Sequence, residues 1–79
     1  MKKVEILGAN CGYCRAMEAT ARQAATRLGL ECEIVKVTEP QKFIDYNVRA
    51  IPTLVVDGKV RASGRVVPLE EMETLLKTT

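Results

Sequence analysis

In this 79-residue chain, the pair Cys11 and Cys14 of the run Cys11-Gly12-Tyr13-Cys14 is best equipped for chemistry. It follows an apolar, β-branched segment, Lys3–Leu7, and precedes a stretch with helical periodicity. Two cysteines at that spacing at a helix start can close a disulfide without moving the backbone. A helix N-terminus also offers unsatisfied N–H groups and a partial positive charge, and both favour a thiolate. Cys11, nearer the terminus, is therefore the expected nucleophile. Cys14, one turn further in and partly covered, is placed to attack a mixed disulfide formed on Cys11. A C-x-x-C between a strand and a helix is a redox-motif candidate; the plainer reading is two ordinary thiols in a loop.

Other cysteine chemistries fit less well. With Cys32 the count is three, against the even set of a secreted disulfide framework. The spacing also matches three positions of a C-x2-C-x15–20-C-x2-C zinc pattern, but the fourth position is Val35 and the chain has no histidine. A closed zinc site needs four ligands, and an iron–sulfur cluster four thiolates, so no metal is expected. Cys32 is expected to pack as a small hydrophobe, with a regulatory or dimer-linking thiol as the alternative.

The elements that must position the cysteines are legible from periodicity. Lys3–Leu7 reads as a first strand ending at Gly8. Asn10 can cap a helix whose buried face is Cys14, Met17, Ala21, Ala24 and Leu28, with Glu18 and Arg22 paired on the opposite face. Gly29 stops that helix, and the alternating segment Leu30–Val37 reads as a second strand. Thr38-Glu39-Pro40-Gln41 has the form of a capping box, with Thr38 as N-cap, opening a short helix that carries Phe43 and Ile44. Thr53–Val56 and Lys59–Ala62 flank Asp57-Gly58, a hairpin signal. Pro68 can open a last helix with Leu69, Met72, Leu75 and Leu76 buried. The order βαβαββα, with a right-handed parallel crossover first and an antiparallel hairpin later, predicts an α/β fold. Its mixed four-stranded sheet is flanked by helices on both faces.

Composition bounds the function. The length fits one domain, 1–79, and 47% hydrophobic content is that of a globular chain. Twelve basic residues against ten acidic ones, spread without blocks, give no basic face for nucleic acid. No stretch approaches the roughly 18–20 apolar residues of a membrane helix, and Glu5 interrupts any signal-peptide run after Met1-Lys2-Lys3. A soluble, cytoplasmic protein is expected.

The segment Tyr46-Asn47-Val48-Arg49-Ala50-Ile51-Pro52-Thr53-Leu54 resembles the Y-x-[IV]-x-[AG]-I-P-T segment of thioredoxins, and it stands where they carry it, between a helix and the third strand. With Cys11–Cys14 and Gly64 the resemblance spans essentially the whole chain. It is strongest to the small, glutaredoxin-sized thioredoxins of archaea and bacteria. This resemblance implies a thioredoxin-like fold, a cis Pro52 packed against the active-site disulfide, and backbone pairing of Ile51 with an extended substrate. Gly12, Tyr13 and Gly64 join Ile51 and Pro52 as implied substrate-binding residues. The implied activity is dithiol exchange with protein disulfides by a monomer whose only redox group is the Cys11–Cys14 disulfide. A separate thioredoxin-reductase-type enzyme would restore the dithiol.

The chain also departs from that pattern. Gly12-Tyr13 combines the Gly of thioredoxin's Gly-Pro with the Tyr of glutaredoxin's Pro-Tyr, and Asn10 replaces the usual tryptophan. Glu5, six residues before Cys11, stands where thioredoxins place a buried acid. It has two readings: a solvated glutamate near a strand end, favoured by residue type, or a buried proton acceptor for Cys14. Glutaredoxin-like use of glutathione is the nearest alternative activity, though Ile51 before Pro52 and Thr53 after it point towards protein disulfides. From another class, Gly8-Ala9-Asn10-Cys11-Gly12-Tyr13-Cys14 approaches the G-M-x-C-x-x-C loop of copper-type chaperones, whose domains run βαββαβ.

Overall fold

The computed structural model describes residues 2–8 and 12–78. The elements are β1 (Lys2–Leu7), α1 (Gly12–Leu28), β2 (Cys32–Val37), α2 (Pro40–Asp45), β3 (Thr53–Val56), β4 (Lys59–Ser63) and α3 (Leu69–Thr78). They form one four-stranded sheet in the order β2-β1-β3-β4. Strand β1 runs parallel to β2 and antiparallel to β3, and β3 pairs antiparallel with β4. This is the expected mixed sheet. Among the described residues no helix is long and apolar enough to cross a membrane.

Strand β1 lies inside the sheet, and side-chain alternation sends its residues into two apolar layers. Val4 and Ile6 meet Leu54 and Val56 of β3, then Cys14, Met17, Ala21 and Ala24 of α1 and Met72 and Leu76 of α3. On the other face Leu7, Val37 and Val55 pack with Phe43, Tyr46 and Val48, from α2 and the segment after it. Met17, Leu54, Met72 and Leu76 are fully buried, each worth about 1.5–3 kcal/mol over exposure. Helices α1 and α3 thus form one layer and α2 the other.

Two boundaries differ from the sequence reading. Strand β2 begins at Cys32, not Leu30. Leu30 belongs to the end of α1, where its N–H bonds the Ala25 carbonyl while Gly29 N–H bonds that of Thr26, a paired C-cap around a left-handed Gly29, φ +67°. Thr38 is not an N-cap, and there is no capping box. Proline disfavours helical geometry in the residue before it, so Glu39 is extended, at φ −72° and ψ 125°, and becomes the N-cap without a side-chain bond. The Gln41 amide turns instead to Asp45, 2.9 Å away.

The hairpin forms as expected, with positive φ at both Asp57 and Gly58. Asp57 also anchors it to β1, because its Oδ1 accepts the Lys3 backbone N–H at 2.8 Å. That bond holds the Asp57 carboxyl below the usual carboxylate range.

Gly29→Ala places a Cβ on left-handed backbone, which costs roughly 1–2 kcal/mol. Urea unfolding is expected to show an unfolding free energy lowered by that amount, read as a lower midpoint with an unchanged slope.

Candidate active site

Cys14 is 3% exposed, in the first turn of α1, and belongs to the larger core cluster. Its Sγ lies over the backbone of Gly8, so closely that a Cβ on Gly8 would sit 2.5 Å from it. The same Cβ would be 3.6 Å from Cβ of Ile51. The end of β1, the first turn of α1 and the loop before β3 therefore meet at one point, and a bare backbone at position 8 lets them. Cys11 and the proposed cap Asn10 lie outside the described residues.

The loop is built by a second paired cap. Asn47 takes φ +54°, and the N–H groups of Asn47 and Val48 close on the carbonyls of Ile44 and Phe43. The chain then runs to Ile51–Pro52, which is a cis peptide bond. Pro52 is buried while Ile51 remains 44% exposed. Buried Thr53 secures the turn: its Oγ1 donates to the Ala50 carbonyl at 2.7 Å. Ser63 Oγ lies 3.2 Å from Thr53 Oγ1 and 3.4 Å from the same carbonyl. Gly64 N–H bonds the Pro52 carbonyl at 2.9 Å.

Beside this turn lies a groove of about 390 Å³ lined by Tyr13, Ile51, Pro52, Gly64, Arg65 and Val66. Four residues assigned to substrate binding from sequence thus share one surface. Gly12 is exposed, with open space around its Cα, and does not line the groove. Arg65 and Val66 were missed, although they directly follow Gly64. Glu5 is 5% exposed, which overturns its reading as a solvated strand-end residue. It points into the α2-side layer, where the Tyr46 hydroxyl donates to its Oε1 at 3.1 Å. Burial, and next the bond to Glu5, push the Tyr46 phenol up. Tyr46 stands forty-one positions from Glu5, and nothing in the local sequence announces the pairing.

The thioredoxin domain family matches residues 2–77. The chain belongs to that family. It is 36% identical over 76 residues to a thioredoxin of Methanothermobacter thermautotrophicus, covering 96% of this chain and 99% of that one. A thioredoxin of Methanocaldococcus jannaschii is 28% identical over 78 residues, covering 99% and 90%. In fold the chain is similar to chloroplastic thioredoxin z, with a TM-score of 0.75 at 16% identity, over 98% of this chain and 76% of that one. The germline-specific thioredoxin Deadhead of Drosophila melanogaster gives 0.70 at 21% identity, over 99% and 81%. The protein is a thiol–disulfide oxidoreductase of the disulfide-reductase type.

Within this family frame the rival metal-chaperone order fails, because the elements run βαβαββα and end in a helix. Cys32 sits partly buried at the start of β2, against the α1-side core. Burial pushes its thiol up, so little of it is thiolate at neutral pH.

Gly8→Ala is expected to displace the Cys14 side chain, which has one torsion and core neighbours on its other sides. Stopped-flow exchange with a disulfide substrate should show the release step slowed by about tenfold or more, the cost of a misplaced reacting group.

Proposed function

We propose that Cys11-Gly12-Tyr13-Cys14 is the redox site and that it reduces protein disulfides. The Cys11 thiolate attacks one sulfur of the substrate disulfide. The other substrate sulfur leaves as a thiolate and takes up a proton. Cys14, as thiolate, then attacks Cys11 sulfur, so that the second substrate thiol departs and the Cys11–Cys14 disulfide forms. Two electrons pass from the dithiol to the substrate. A separate reductase returns them, as is general for thioredoxins, and the chain needs no other redox group. The observation that carries this reading is the meeting of Cys14 with Gly8 and Ile51 beside the groove of Tyr13, Pro52 and Gly64. The exposed Ile51 offers its backbone to a disulfide-bearing segment that docks in extended form. The same reading makes the chain a cytoplasmic monomer; the odd cysteine count and the archaeal thioredoxin relatives support the compartment.

Glu5 takes an indirect part. Alternation puts it on the sheet face opposite Cys14's cluster, and Gly8 lies three residues, about 10 Å of strand, beyond it. Glu5 therefore does not take the Cys14 proton by contact; it acts through Tyr46, whose hydroxyl it holds at the start of the loop that leads to Ile51–Pro52.

Mass spectrometry of variants incubated with an oxidised substrate protein tests the first assignment. Cys14→Ser is expected to accumulate a mixed disulfide on Cys11, and Cys11→Ser to form none and lose turnover by at least a hundredfold. Trapping on Cys14 or Cys32 instead would refute the assignment. For Glu5→Gln, we expect the release step to slow. An unchanged rate removes Glu5 from the mechanism.

A further inference from the structure

Arg65 is the one charged residue lining the groove among the described residues; its five companions are apolar or uncharged. Its guanidinium is held by Glu71 of α3 in a two-pronged pair, Nη1 to Oε1 at 3.0 Å and Nη2 to Oε2. Glu71 keeps Arg65 firmly protonated. A guanidinium has five N–H donors in a planar fork, so this pair uses two and leaves three for another acceptor. The Arg65 side chain is half exposed and Arg65 lines the groove, so the remaining donors are open to water and to a ligand there. Glu71 thus fixes the plane of the fork instead of consuming it.

The surroundings reinforce the sign. Arg15 follows Cys14 directly, and Arg49 precedes Ile51 by two residues; both are exposed. Glu71 is the acid paired with Arg65, while Glu70 beside it is exposed in the same first turn of α3. Within the groove itself Arg65 is the sole charge, and it is basic, whereas the whole chain carries only +2.

We infer that this protein selects disulfide-bearing segments with an acidic residue beside the reacting cysteine, and that Arg65, oriented by Glu71, reads the carboxylate. The inference rests on the dithiol reading above and specifies its substrate class. An apolar groove alone accepts any extended segment. One oriented cation adds a preference of modest size, because a half-exposed pair is screened by water.

The test uses the reduced full chain and short cysteine peptides activated as 2-thiopyridyl mixed disulfides. The peptides differ at one position, before or after the cysteine, which is Glu, Gln or Lys; thiopyridone release gives the rates. At low salt the expected order is Glu over Gln over Lys, with about two- to fivefold between successive peptides. The spread should shrink towards unity near 1 M salt, where the Debye length is about 3 Å. Arg65→Gln should collapse the spread. Lys59→Gln, an equal charge change at the far end of the sheet, should preserve it. Equal rates for the three peptides with the unmodified chain, or an order that survives Arg65→Gln, would overturn the inference. A reduced chain that leaves even the Gln peptide intact would refute the dithiol reading itself, and this inference with it.

Discussion

Strand β1 must deliver the chain to a residue without a side chain, Gly8, directly beneath Cys14. All six of its residues pair with β2 along one edge, and the last four, Val4–Leu7, also pair with β3 along the other. Gly8 then continues beneath Cys14, its N–H bonded to the Val37 carbonyl. Because the strand is held from both sides, Gly8 cannot retreat, and the Cys14 sulfur occupies the space a side chain on Gly8 would need. Ile51 closes the same point from the loop before β3. The site is thus set by backbone-to-side-chain distance, which a rigid sheet fixes better than any loop could.

The two layers divide the work. The α1 and α3 side is apolar throughout, and it grips the first turn of α1 through Cys14 and Met17. The α2 side is thinner and contains polar groups that find each other. Glu5 meets Tyr46, and at the strand end Thr53 meets Ala50 and Ser63. A buried hydroxyl or carboxyl left unpaired costs about 1–3 kcal/mol, and no buried side-chain polar atom among the described residues lacks a partner. These bonds therefore specify where the Tyr46–Pro52 loop lies as well as stabilising it.

What could be read in advance was local in the chain. Helix α1 showed its face through Cys14, Met17, Ala21 and Ala24, and the hairpin through Asp57-Gly58, since each signal spans one turn or one loop. The Thr38 cap failed where two local rules competed and the backbone restriction imposed by Pro40 overruled side-chain capping. Leu30 looked like strand because it is apolar and alternates, yet the left-handed Gly29 draws it into the helix end. The burial of Glu5 was hidden for a different reason. It depends on Tyr46, brought over by the parallel crossover and α2, and no window along the sequence contains both. Arg65 was overlooked because its meaning comes from the groove it enters, not from its spacing to any cysteine.

The strand order leaves β2 and β4 as the outer edges of the sheet. Each edge carries charges among its apolar side chains: Glu33 and Lys36 on one, Lys59 and Arg61 on the other. Near its middle the second edge slips register, between Leu54 and Val55 of its partner. Unpaired edges invite sheet-to-sheet stacking, and interspersed charges and irregular register both frustrate it. Both edges therefore resist pairing with a second copy of the chain, while the exposed Ile51 and the groove beside it stay open.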